Sequence, residues 1–311
     1  MSRTTPNRRS ANRALSVLAL LALTAGAVTA CSDHASASEH PSSPSTISSA
    51  LPGTSRAGGA KLHMIDNGGH RLAFHVTQGH GPTIVLDSGG GEDSSYWKDL
   101  VPELHAATGA TVITYDRAGL GRSDVVPGPW KVESAVSDLE SGLQQLGVTK
   151  NVTLVSHSQA GEIATYFAKD NPKMLSGALL VDANLPPFFT DEEIARLVAF
   201  SQPQVDAAKK DPDKPQNRQL ISTAESFVST NKAYHKLTWP DAVPATVIVS
   251  EKTPFDGSPE DAQRWRDAAA SFVQDGPHRT LVTARGSSHD VPKDRPGLVL
   301  KEIESMVATQ H

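Results

Sequence analysis

A single cysteine in 311 residues, Cys31, excludes an internal disulfide and any metal site built from several thiolates. The 12 histidines show no ligand spacing of the His-Glu-x-x-His kind, so the sequence offers no metal site. Positive charge is not in excess: 29 Lys and Arg stand against 34 Asp and Glu, a net charge of -5. That balance gives no basic field for nucleic acid. A dinucleotide fingerprint is missing as well. Gly89-Gly90-Gly91 resembles its start, but the third glycine would have to stand where the chain has Ser94. No cofactor is expected.

Long apolar runs are scarce, and the one that exists lies near the N-terminus. Arg3, Arg8, Arg9 and Arg13 precede an apolar or small stretch from Ala14 to Ala30, which reads as a signal peptide over residues 1–30. The stretch ends at Val28-Thr29-Ala30-Cys31, which is similar to a bacterial lipobox. That similarity implies lipidation of Cys31 and a mature N-terminus there; an ordinary cleavable signal or a retained anchor are the other readings. Residues 31–60 are rich in Ser, Pro, Ala and Gly without hydrophobic period and read as a flexible tether. The expected location is outside the cytoplasmic membrane, held to it by lipid. Oligomeric state is not written in the sequence.

From Lys61 onward short apolar runs alternate with amphipathic helical stripes. Asn67-Gly68-Gly69 marks a hairpin, and Thr83 to Leu86, Thr111 to Tyr115 and Val152 to Val155 read as buried strands. Trp97, Leu100, Val101 and Leu104 predict one helix over Ser95 to Ala107, and Val132, Val136, Leu139 and Leu143 predict another. Strands follow at Leu175 to Val181, Thr246 to Ser250 and Arg279 to Ala284. A closing helix carries Leu298, Leu300, Ile303 and Met306. This alternation implies an α/β fold with a mostly parallel sheet covered by helices on both faces. Residues 186–244 break it and read as helical, with a capping box at Thr190 to Glu193.

Within this frame, Val152 to Gly161 is strand, sharp turn and helix. Ser158 sits on the turn with small residues two before and two after, Ser156 and Ala160, as a strained nucleophile elbow requires. Glycine is usual at both places and is absent from both. The Ser88-Gly89-Gly90 turn with Trp97 beyond it, the loop Asp116-Arg117-Ala118-Gly119-Leu120-Gly121-Arg122-Ser123 and the elbow together resemble the α/β-hydrolase superfamily of esterases, lipases, peptidases and cofactor-free haloperoxidases. The resemblance runs from about Lys61 to the C-terminus. It implies a core of residues 61–185 and 245–311 with a cap at 186–244, and Ser88 replaces the usual His of the oxyanion turn.

A serine nucleophile needs a base that titrates near neutrality, and His289 lies on a short polar loop after the last strand. His157 is nearer in sequence but should point away from Ser158. The chain order serine, acid, histidine leaves the acid between them. Most of the superfamily would carry it at Thr253 or Pro254, and neither residue can serve. Asp182, at the end of the preceding strand, is the first choice; Asp256 and Glu251 are the alternatives. The backbone N–H groups of Gly90 and Gln159 are the expected oxyanion donors. The expected reaction is hydrolysis of a small-molecule carboxylic ester through an acyl-enzyme. Ser158 excludes epoxide hydrolase and haloalkane dehalogenase chemistry, which need Asp there. Peptidase, acyltransferase or haloperoxidase activity stays open, as does a catalytically silent binding lipoprotein.

Overall fold

Period-two alternation inside the strands decides which side chains face which layer. The structure, a computed structural model, describes residues 59–255 and 257–308. The expected signal peptide, Cys31 and nearly all of the tether lie outside the described residues, as does Asp256. Eight strands form one sheet: β1 (Lys61–Asn67), β2 (His70–Thr77), β3 (Thr83–Asp87), β4 (Thr111–Asp116), β5 (Val152–His157), β6 (Leu175–Val181), β7 (Ala245–Ser250) and β8 (Arg279–Ala284). Their order is β1-β2-β4-β3-β5-β6-β7-β8. β1 pairs antiparallel with β2 and β2 with β4; all other pairs are parallel.

The helices are α1 (Leu100–Thr108), α2 (Val132–Gln145), α3 (Ala160–Asp170), α4 (Asp191–Ala208), α5 (Pro215–Tyr234), α6 (Pro259–Gln274), α7 (Val291–Asp294) and α8 (Pro296–Ala308). Val152 and Leu154 of β5 join Leu139, Leu143, Phe167 and Phe272 in a core under α2, α3 and α6. Val155, one residue on, faces Leu104, Val299 and Ile303 under α1 and α8. Each large side chain so enclosed contributes roughly 1.5–3 kcal/mol of transfer free energy.

Two helices depart from expectation. The single helix expected over Ser95 to Ala107 is split into a 3-10 turn, Ser94–Trp97, and α1. Pro102 explains the break: in a continuous helix its ring would meet the carbonyl of Lys98, whereas in the first turn of α1 its missing N–H costs nothing. In the closing helix the buried residues are Val299, Ile303, Met306 and Val307, while Leu298 and Leu300 pack only at the edge. The expected apolar stripe was displaced by one position at its start.

Residues 186–244 hold α4 and α5, which pack against each other and are tied to both neighbours. Thr190 accepts from the Glu193 N–H at 3.2 Å as a cap should, but the Glu193 carboxylate turns to Arg264 of α6 instead of closing the box. At the other side, Ser222 of α5 donates to the Gly128 carbonyl at 2.8 Å, and its own carbonyl accepts from Trp130 at 3.0 Å. Among the described residues no helix is long and apolar enough to cross a membrane.

Candidate active site

Strand order reverses about β3: the chain leaves it toward β4 on one side and returns as β5 on the other. Turns leaving β3 and β5 therefore diverge, and a crevice opens beyond their carboxyl ends. The glycine turn follows β3 and Ser158 follows β5. Their registers bring them together: Asp87 pairs with Ser156, and a Cβ on Gly89 would lie 3.3 Å from the Ser158 Cβ.

Ser158 has φ of 56°, the left-handed region that a residue with a Cβ adopts at a cost of about 1–3 kcal/mol. Three backbone bonds from the elbow hold it there. Its N–H donates to Val181 at 3.2 Å, and its carbonyl accepts from Gly161 at 3.0 Å and from Asn184 at 2.8 Å. The elbow thus sits hard against the end of β6. A Cβ on Gly161 would fall 2.2 Å from the Asn184 carbonyl oxygen, so this position admits glycine alone. The steric demand expected at Ser156 and Ala160, both fully buried, falls on Gly161 as well.

His289 reaches both expected partners. Its Nε2 lies 2.9 Å from the Ser158 hydroxyl and its Nδ1 lies 2.7 Å from the Asp182 carboxylate. The other carboxylate oxygen of Asp182 accepts from the Ser250 N–H at 3.0 Å and the Trp265 indole N–H at 2.8 Å, and the Ser250 hydroxyl lies at 2.5 Å from the oxygen that His289 holds. Burial would raise the Asp182 pKa; the bonds from His289 and Ser250 outweigh it and hold the carboxyl below its ordinary value. Glu251 is exposed and accepts from the Gly286 N–H at 2.5 Å, so it caps the loop leaving β8 and is not joined to His289. Asp256 lies outside the described residues. Among the described residues, no protein acceptor takes the N–H of Gly90 or of Gln159.

A family model described as the alpha/beta hydrolase family matches residues 84–302. The chain belongs to this family. The uncharacterised protein YqjL of Bacillus subtilis is similar to it, 26% identical over 249 residues that cover 77% of this chain and 88% of that protein. Among solved structures, a thermophilic esterase from Thermogutta terrifontis is 21% identical, with a TM-score of 0.57 over 81% of this chain and 100% of its own. A bromoperoxidase from Bacillus anthracis is 17% identical, with a TM-score of 0.59 over 80% and 100%. At these identities the likeness is one of fold.

The contacts of several groups of this α/β-hydrolase are not legible in the sequence because they join distant segments. Arg117, in the loop after β4, donates to Asp87 at 3.0 Å and to the Ser88 carbonyl at 2.7 Å, and also to the Gly89 carbonyl. It thus clamps the glycine turn. Trp265 and Ser250 orient Asp182, as just described. His157 does not reach Ser158; its Nε2 donates to the His289 carbonyl at 3.0 Å and its ring stacks on Tyr96 at 5.0 Å. Glu162, fully buried at the start of α3, accepts from Asn184 at 2.7 Å, and burial pushes its carboxyl up to about 7. Among the described residues no group of three or more His, Cys, Asp or Glu side chains could hold a metal ion.

Proposed function

We propose that this α/β-hydrolase cleaves a small-molecule carboxylic ester, with Ser158 as nucleophile, His289 as general base and acid, and Asp182 as the carboxylate that orients it. The observation that carries the reading is the continuous bridge from Asp182 through both ring nitrogens of His289 to the Ser158 hydroxyl. A carboxylate at Nδ1 requires the proton there, which leaves the Nε2 lone pair for the serine proton. Ser158 attacks the ester carbonyl carbon, and the carbonyl electron pair moves to oxygen, where the N–H groups of Gly90 and Gln159 meet the charge. Collapse expels the alkoxide, which takes the proton from His289. Water then attacks the acyl-enzyme by the same steps and releases the acid.

Hydrolysis of a short-chain p-nitrophenyl ester, together with labelling by a fluorophosphonate, tests the reading. Labelling without turnover would keep the nucleophile and exclude only the chosen ester. Neither labelling nor turnover by the folded protein would point to a binding role.

For the non-reacting part of the substrate we favour a pocket of about 640 Å³ between the loop after β4 and α5. Trp130, Pro129, Val126 and Ile221 give it apolar walls, and Arg117, which donates to the Ser88 carbonyl of the glycine turn, also lines it. The volume suits a small organic ligand. Trp130 and Gln159, the residue after the nucleophile, also line one small closed space beside α5, which brings this wall of the pocket near the elbow. Trp130→Ala is expected to raise KM for longer esters by roughly tenfold, from 1–3 kcal/mol of lost apolar contact, with little change for acetate. A uniform change across chain lengths would sink this placement.

The leader completes the proposal: lipid on Cys31 would hold the enzyme at the outer face of the cytoplasmic membrane. Cys31→Ser should move the protein from the membrane to the soluble fraction on fractionation. Unaltered membrane retention would contradict lipid anchoring.

A further inference from the structure

His157 precedes the nucleophile and is 2% exposed. Its Nε2 faces the His289 backbone oxygen at 3.0 Å, and a carbonyl can only accept, so Nε2 carries a proton. Burial, and then the neighbouring His289, hold the His157 pKa down to about 3, which keeps the ring neutral. A neutral ring presents a lone pair at Nδ1. That atom is buried and has no hydrogen-bond partner among the described residues. It calls for a donor.

The group that faces it is Glu92, on the glycine turn. One carboxyl oxygen lies 3.9 Å from Nδ1, and the same oxygen lies 3.2 Å from the point where a Gly89 Cβ would stand. The distance is too long for a formed bond and within reach of a rotation of the Glu92 side chain. An ionised carboxyl offers Nδ1 nothing, because both groups only accept; a protonated one can donate. We propose that Glu92 is a positioning residue: its protonated carboxyl donates to Nδ1 of His157, and His157 donates to the His289 carbonyl, so that the backbone carrying the base is held in place. The inference rests on the reading of His289 as the base.

The surroundings of Glu92 favour the acid form near neutrality. Its other carboxyl oxygen lies 3.6 Å from the Lys293 ammonium of α7, and Asp290, His289 and Arg117 also act on it through space. Tyr96 stacks on His157, donates to Asp290 at 3.2 Å and has the Lys293 ammonium 4.4 Å from its ring centre. Burial outweighs Lys293 and pushes the Glu92 carboxyl up to about 7. Below that value the donor is present. Above it a carboxylate faces a lone pair, and His157 loses its support.

The test is the pH profile of kcat/KM from about pH 6 to about pH 8.5, beside nitrogen-15 NMR of histidine-labelled protein. Divided by the profile of Glu92→Gln, which carries the same rising limb from the general base, wild-type kcat/KM should fall on the order of tenfold with a midpoint near 7, as a base that drifts from its geometry would cause. Glu92→Gln, whose amide donates at every pH, should lack that midpoint, and Glu92→Ala should be slower throughout. The His157 Nδ1 signal should move with the same midpoint in the wild type and stay fixed in Glu92→Gln. The NMR arm needs no turnover, so it separates failure of this inference from failure of the hydrolase reading. If Glu92→Ala does not fold, the Glu92→Gln comparison decides alone. Coincident wild-type and Glu92→Gln profiles, or a wild-type Nδ1 signal that does not move, overturns the proposal.

Discussion

Ser158→Ala is expected to lower kcat toward p-nitrophenyl esters on the order of 10⁶-fold, about 8 kcal/mol of transition-state stabilisation. The loss is that large because an acyl-enzyme cannot form without the hydroxyl, and His289 then has no proton to move. Substrate binding should change little, since the hydroxyl is a small part of what a bound ester touches. The same residue stores strain, with φ of 56°. Alanine keeps the Cβ and keeps the strain, whereas glycine removes both. Ser158→Gly should therefore be as inactive as the alanine variant yet more stable than the wild type by about 1 kcal/mol in urea unfolding. A glycine variant less stable than the alanine one would mean that the elbow is not strained.

Asp182→Asn is expected to lower kcat by about 10⁴-fold with only a modest loss of stability. The argument follows the hydrogen bonds. One carboxylate oxygen accepts from two groups that can only donate, the Ser250 N–H and the Trp265 indole. An asparagine at 182 must keep its carbonyl oxygen there and turn its amide nitrogen to the other side. On that side the partners are the Ser250 hydroxyl, which can accept, and Nδ1 of His289. The amide then donates to Nδ1, the imidazole proton moves to Nε2, and no lone pair remains for Ser158. Asp256→Asn should leave kcat near the wild-type value. Equal losses in the two variants, measured as kcat on one ester, would contradict the role given to Asp182.

Much of the fold could be read from local pattern. The hairpin at Asn67-Gly68-Gly69, the buried strands and the strand-turn-helix at Ser158 each depend on residues within about ten positions of one another, where periodicity and turn chemistry act directly. Pro102 was a local signal too, and it explains why the helix after Trp97 begins at Leu100. The choice of acid was not local. Asp182, Glu251 and Asp256 all lay at plausible offsets, and which carboxylate reaches His289 depends on how closely β6 and β7 run together and on Trp265 arriving from α6. Arg117, His157 and Glu92 were hidden for the same reason: each acts on a backbone group or side chain of another segment, His157 on one 132 positions away. A close approach such as Gly161 against Asn184 is invisible until the sheet is assembled.

The central claim is that Ser158 is an activated nucleophile, and covalent labelling tests it most directly. The folded protein, treated with a fluorophosphonate and digested, should yield one adduct, on the peptide that contains Ser158. The adduct should be absent from Ser158→Ala and should form far more slowly in Asp182→Asn. No adduct on the folded wild type, or an adduct on another serine that persists in Ser158→Ala, would contradict the claim.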